Sequence, residues 1–236
     1  MNNNGSDMSI WGHLGELRKR LFRAVIGLLI TTMISFAFAD KVIDYITLPI
    51  GGINQLQSIE VTENMSVFMR VSLLSGFILA FPFILYQLLS FIMPGLTKGE
   101  RRWVKISIPL AGLLYIIGAA FAFYVMVPAA VPFLISFLGI PTTPRLANYI
   151  SFVTNLIFWI GLCFEAPLLV FVLAKINIIN AKGLAKQWRI AIVVISVMAA
   201  VISPTVDPIN MGILMVPLIA LYLISILFAV IAKRNK

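Results

Sequence analysis

The sequence is poor in the residues that build most reactive sites: one cysteine, one histidine and nine acids in 236 residues, with charged side chains only 11% of the total. Cys163 alone allows no intrachain disulfide and no thiolate metal cage. His13 and that distant cysteine supply neither a zinc site nor a Cys–His nucleophile pair. No G-x-x-x-x-G-K-[ST] loop is present to cradle a nucleotide phosphate. Internal repeats, low-complexity tracts and the inverted halves often seen in secondary transporters are missing too. The expectation is a non-enzyme without cofactor or metal, whose transport work draws on a partner or on the membrane potential.

Soluble domains carry charge on about a quarter of their residues. Here 61% of residues are hydrophobic, too many for a core with a water-facing surface. The sequence therefore reads as one all-α membrane domain over residues 1–236. Residues 1–20 form an N-terminal segment in which Ser9 to Arg20 lies along the membrane surface, with Ile10, Trp11, Leu14 and Leu17 as its apolar side. Six spans follow, at Leu21–Ala39, Val67–Ile92, Ile106–Val127, Tyr149–Ala174, Ile190–Ile202 and Ile209–Ala232. Span one ends in Ala37-Phe38-Ala39, which imitates a signal-peptidase site, but the run exceeds a signal h-region and reads as an uncleaved helix. Pro82 is expected to kink span two. Pro94 to Lys105, and Pro128 to Asn148, read as connections. Span five, with about 13 apolar residues, is well short of the roughly 20 needed to cross hydrocarbon.

The net charge of +9 could suggest nucleic acid, so placement decides. Fifteen of 18 cations fall on one side of this topology: Arg18, Lys19, Arg20, Arg23, Lys98, Arg101, Arg102, Lys105, Lys175, Lys182, Lys186, Arg189, Lys233, Arg234 and Lys236. By the positive-inside rule that side is the cytoplasm, with both termini there, and the basic excess serves topology and anionic lipid rather than nucleic acid.

Against those cations stand only Asp7, Glu16 and Glu100. Two readings of Glu16 and Glu100 stand side by side. Each could accept an arginine through two parallel hydrogen bonds, or each could pair locally, Glu16 with Arg20 and Glu100 with Arg101 or Lys98. Glu165 lies inside span four, where a charge costs about 2.5 to 3.5 kcal/mol, so rather than face lipid it is either protonated, or lines a wet cavity, or bonds a polar group on another chain, or packs beside Pro167. Asp207, in the turn after span five, is either an exposed turn acid or a membrane-level polar contact. Phe91 ends span two near Glu100, where it could meet an incoming apolar segment.

Two segments carry a resemblance. His13-Leu14-Gly15-Glu16-Leu17-Arg18-Lys19-Arg20-Leu21 and Phe91-Ile92-Met93-Pro94-Gly95-Leu96-Thr97-Lys98-Gly99-Glu100-Arg101-Arg102 resemble the TatC family of the twin-arginine translocase. Leu48-Pro49, Pro82 with Tyr86-Gln87, Phe164-Glu165-Ala166-Pro167 and Ser203-Pro204-Thr205 with Asp207 follow the family pattern in order. The resemblance implies a concave six-helix bundle with the last two spans short, in the bacterial inner membrane, driven by the proton-motive force. It implies that Glu16 and Glu100 receive the arginines of twin-arginine signal peptides on folded precursors, with Phe91, Pro94 and Leu96 in the same recognition loop. Arg18 and Lys19 match the basic N-terminal element, Glu165 and Asp207 match acids that meet TatA or TatB helices, and Pro49 and Pro82 are structural. A homo-oligomer within a larger complex is expected. The family pattern has a Gln four residues after the Asp207 position, where this chain has Met211. The alternatives are a proton-coupled small-solute transporter using Glu165, and a membrane insertase without any Arg-Arg requirement.

Overall fold

A computed structural model describes residues 10–136, 143–203 and 208–234. Ten α-helices are present among them: α1 Ile10–Phe36, α2 Ala39–Thr47, α3 Glu63–Ile92, α4 Lys98–Phe121, α5 Val127–Ser136, α6 Leu146–Phe164, α7 Ala166–Lys175, α8 Ala181–Lys186, α9 Trp188–Ile202 and α10 Pro208–Arg234. Helix is what apolar sequence must form in hydrocarbon, because it satisfies every backbone N–H and C=O internally.

Side-chain contacts fix the helix directions. Thr31 Oγ1 donates to Gly76 O at 2.8 Å and Phe36 stacks on Phe68, so α1 and α3 run antiparallel. Phe81 stacks on Tyr115 across α3 and α4, and Tyr115 reaches Phe158 O on α6, continuing the alternation. Phe171 on α7 meets Phe228 on α10, and Lys175 meets Ala232, so these two helices run parallel. The α1–α3 seam is close because Gly76 has no side chain: a Cβ there would lie 2.6 Å from Thr32 Cα. The main core gathers Val71, Ile150, Val153, Leu156 and Ile160 with Val127 and Leu214.

Among the described residues four stretches are long and apolar enough to cross a membrane: Glu63–Ile92, Gly99–Ile135, Leu146–Lys175 and Met211–Ala232. A fifth exists if Leu14–Phe36 and Ala39–Ile50, bent by 75°, act as one. Helix α9 has 15 residues, about 22 Å at 1.5 Å each, below the hydrocarbon thickness of about 30 Å.

Helix α1 runs unbroken from Ile10 to Phe36, so the N-terminal segment leads straight into the first apolar run. Several expectations require correction. The segment read as a loop from Pro94 to Lys105 is helical from Lys98, because Thr97 and Glu100 form a reciprocal capping box. The Pro-rich segment from Pro128 continues as α5 to Ser136, joined to α4 through a π-turn at Ala122–Met126. Pro82 lies within α3, and its ring packs where Gly112 of α4 leaves space. Of the two final helices only α9 is short, since α10 spans 27 residues.

Candidate functional site

One end of the bundle collects Glu16, Arg18, Lys19, Phe91, Pro94, Leu96 and Glu100. The antiparallel α1–α3 register pairs Thr32 with Gly76 and Gly27 with Phe83. Carried about three turns further along both helices, it sets Glu16 level with the end of α3 near Ile92 and Met93. There the chain turns through a 3₁₀ segment, Met93–Gly95, whose Pro94 cannot continue the α-helical ladder. The Leu96 N–H closes that turn on Met93 O at 3.1 Å, and α4 begins two residues later.

Glu100 is held by its own helix start. Its Oε2 accepts from Thr97 N at 3.0 Å and from Thr97 Oγ1 at 2.8 Å. A carboxylate in the first turn of α4 also faces the positive end of the helix dipole. Arg101 donates to Met93 O at 3.1 Å, stiffening the turn below. Glu16 takes the local partner that its spacing allows: Arg20 Nε donates to its Oε1 at 2.9 Å. Arg18 and Lys19 are exposed on α1, Pro94 is exposed, and Phe91 and Leu96 are half-buried.

Leu96 also lines an open apolar cavity of about 860 Å³ empty volume, with Leu85, Leu89 and Ile92 of α3, Val104 of α4 and Leu168 of α7. Its one acid is Glu165. Glu165 occupies the joint between α6 and α7, where Pro167 in the first turn of α7 removes a backbone donor. The Glu165 Oε1 is buried and accepts no hydrogen bond among the described residues. Ten residues separate it from Lys175 at the basic end, about 15 Å of helix, which is mid-hydrocarbon depth. The turn after α3 and the intramembrane acid, far apart in sequence, thus share one cavity. Asp207 lies outside the described residues. Met211 packs against the main core.

The opposite end holds a polar clasp that sequence reasoning did not single out. Glu63 is buried, and its Oε2 accepts from Ile59 N at 3.0 Å, Glu60 N at 3.3 Å and Arg145 Nε at 3.0 Å, while Oε1 accepts from Ala147 N at 2.7 Å. Arg145 also pairs with Glu60 at 2.7 Å, and Gln57 exchanges backbone hydrogen bonds with Pro144 and Leu146. The one available signal was that Arg145 is the sole charged residue between Pro128 and Asn148. Pro49 sits at this end, in the 3₁₀ turn Leu48–Ile50, and Pro82 lies mid-bundle. No cluster of three or more His, Cys, Asp or Glu able to hold a metal occurs among the described residues.

The fold and its two differently charged ends define a multi-pass helical membrane protein. Residues 12–217 match the model of the family described as Sec-independent protein translocase protein (TatC). The chain is 34% identical to the Sec-independent protein translocase protein TatC of Carboxydothermus hydrogenoformans over 97% of its length and 96% of that protein's. It is 37% identical to the TatC of Aquifex aeolicus over 97% and 98% of the two chains. It superimposes on a crystal structure of the twin-arginine translocase receptor TatC with a TM-score of 0.82 at 35% identity, covering 94% of this chain and 99% of that one. The chain belongs to the TatC family.

Proposed function

We propose that this chain is the receptor and core subunit of a Sec-independent translocase that recognises twin-arginine signal peptides and exports folded proteins. The observation that carries the reading is the grouping at one end of Glu16 on α1 and Glu100 at the start of α4, beside the Phe91–Leu96 turn that opens onto the apolar cavity. Two carboxylates account for a demand for two arginines, since a guanidinium presents two parallel donors to a carboxylate and an ammonium does not. The cavity lined by Leu96 then receives the apolar stretch that follows the arginines. Arg18 and Lys19 hold the start of α1 against anionic headgroups.

Six passes with both termini in the cytoplasm fit the charge distribution, α9 crossing where the bilayer thins or where its far end lies below the headgroups. In this reading the membrane is the bacterial inner membrane and the proton-motive force is the energy source. Glu165, and Asp207 near the start of α10, offer polar contacts to single-span TatA and TatB helices in a multi-copy complex. Pro49 and Pro82 shape the scaffold.

The test is photo-crosslinking of an Arg-Arg signal peptide and a Lys-Lys control to the protein in native membranes, wild type against Glu100→Ala. Selective Arg-Arg crosslinks that vanish in the variant support the receptor and its site together. Equal labelling by both peptides, unchanged by the substitution, overturns the recognition site.

A further inference from the structure

Among the described residues one cation is buried: Lys175, in the last turn of α7. An ammonium leaves water only where other groups replace its hydration. Two such groups reach it from other helices. Its Nζ donates to Ala232 O at 3.1 Å, one of the last carbonyls of α10, where the helix dipole is negative. The same Nζ lies 4.8 Å from the centre of the Trp103 ring, within the reach of a cation–π contact.

Trp103 is held from a second side. Phe171, one turn before Lys175 on α7, meets its ring edge-on at 5.9 Å, and Phe171 in turn meets Phe228 of α10 at 6.2 Å. Residues four apart share a helical face, so an ammonium and a phenyl ring of α7 both bear on one indole of α4. Trp103 lies three residues after Glu100, about one turn further along α4 and on an adjoining face. The Thr97–Glu100 capping box fixes the carboxylate relative to its own helix. The Trp103 contacts fix that helix start relative to α10 and to α7, which begins beside Glu165.

We propose that Lys175 is a positioning residue for the arginine-reading acid: through Trp103 it holds the first two turns of α4, and Glu100 with them, in fixed register with α7 and α10. The inference rests on the receptor reading above and adds to it a residue that acts at one remove from the peptide. An apolar side chain of similar length would fill the space but hold neither the Ala232 carbonyl nor the indole face. The start of α4 would then move relative to α7. A displacement of about an ångström separates a carboxylate from the second of two parallel guanidinium donors, so discrimination between arginine and lysine falls first.

The test uses the full-length protein in nanodiscs, with amide hydrogen exchange read without peptide, and Arg-Arg and Lys-Lys signal peptides titrated by fluorescence anisotropy. Lys175→Met should speed exchange at residues 100–104. It should weaken Arg-Arg binding by about 5- to 30-fold, the scale of a desolvated cation–π contact, while Lys-Lys binding changes by less than about twofold. Lys175→Arg, which keeps a cation over the ring, should restore both exchange and binding. Trp103→Phe should fall between wild type and Trp103→Leu, an order set by the ring face, and this series carries the test if Lys175→Met fails to assemble. The double variant Lys175→Met/Trp103→Leu should bind no more weakly than the worse single variant, because the two residues act as one unit. Selective wild-type binding that survives Lys175→Met, or that falls equally with Lys175→Arg, overturns the positioning role and leaves the receptor reading standing. Equal losses for Trp103→Phe and Trp103→Leu do the same. Equal binding of the two peptides by the wild type overturns the receptor reading, and the positioning role with it.

Discussion

Glu16 is already engaged by Arg20, so the energy of that contact decides whether it can serve an incoming arginine. An i,i+4 pair on a helix surface contributes only about 0.3–0.5 kcal/mol, whereas a charge-assisted bidentate pair contributes about 1.5–3 kcal/mol. The intramolecular partner is displaceable and acts as a placeholder. Glu16→Gln or Glu100→Gln should each weaken binding of an Arg-Arg peptide by about 10- to 100-fold, and Arg20→Ala should strengthen it by about twofold, both read by fluorescence anisotropy in nanodiscs. An Arg20→Ala variant that binds more weakly would show that Arg20 itself holds the site together. At the other end, Glu63 accepts four donors from two segments, residues 59–60 and 145–147. Glu63→Gln keeps the volume but removes the charge facing Arg145 and replaces acceptor capacity with N–H donors, so protease cleavage within residues 48–62 should become on the order of tenfold faster. The intramembrane acid and the two acids at the basic end were legible in the sequence, because acids amid cations or within an apolar run stand out. The Glu63–Arg145 pair was not: 82 positions separate the partners, and no periodicity or local motif links them.

At the scale of elements, the turn between α3 and α4 depends on two short devices. The Thr97–Glu100 capping box starts α4, and losing a threonine cap costs about 1 kcal/mol. Thr97→Ala should therefore fray the first turn of α4, seen as faster amide exchange at residues 98–102, and should weaken Arg-Arg peptide binding without touching the peptide itself. Thr97→Ser, which keeps the hydroxyl, should restore both. The other device is the α1–α3 seam, which sets the level of Glu16. Gly76→Leu would drive a side chain into the Thr32 backbone, an overpacking cost of about 1–3 kcal/mol, and should lower thermal stability in detergent while displacing α1. Gly76→Ala should do the same to a smaller extent. Hydrophobic runs made most spans readable, but their ends were not. The capping-box spacing was hidden among cations that read as loop, and the prolines at 128 and 132 read as breakers although α5 accommodates both. Helix starts depend on a few hydrogen bonds, and tertiary packing re-satisfies backbone groups that proline frees, so composition alone places both poorly.

Across the whole molecule, the two ends are built differently, and the difference suits a receptor. One end is locked by the Glu63–Arg145–Glu60 clasp and by Tyr149 Oη donating to Ile46 O at 2.9 Å, which ties α2, α3 and α6 together. The basic end is joined through Lys175, buried, donating to Ala232 O at 3.1 Å and lying 4.8 Å from the Trp103 ring centre. That contact gathers α4, α7 and α10 but leaves α1 held by its seam with α3. In the proposed orientation the positive-inside rule puts the basic end in the cytoplasm. With Cys163→Ala as background, Asn180→Cys and Ser58→Cys place single exposed thiols at the basic and clasped ends. A membrane-impermeant maleimide should label Ser58→Cys in whole spheroplasts and Asn180→Cys only in inverted vesicles. The reverse pattern would put Glu16 and Glu100 on the far side of the membrane from any precursor and would remove the receptor reading, whatever the affinity of the site for arginine.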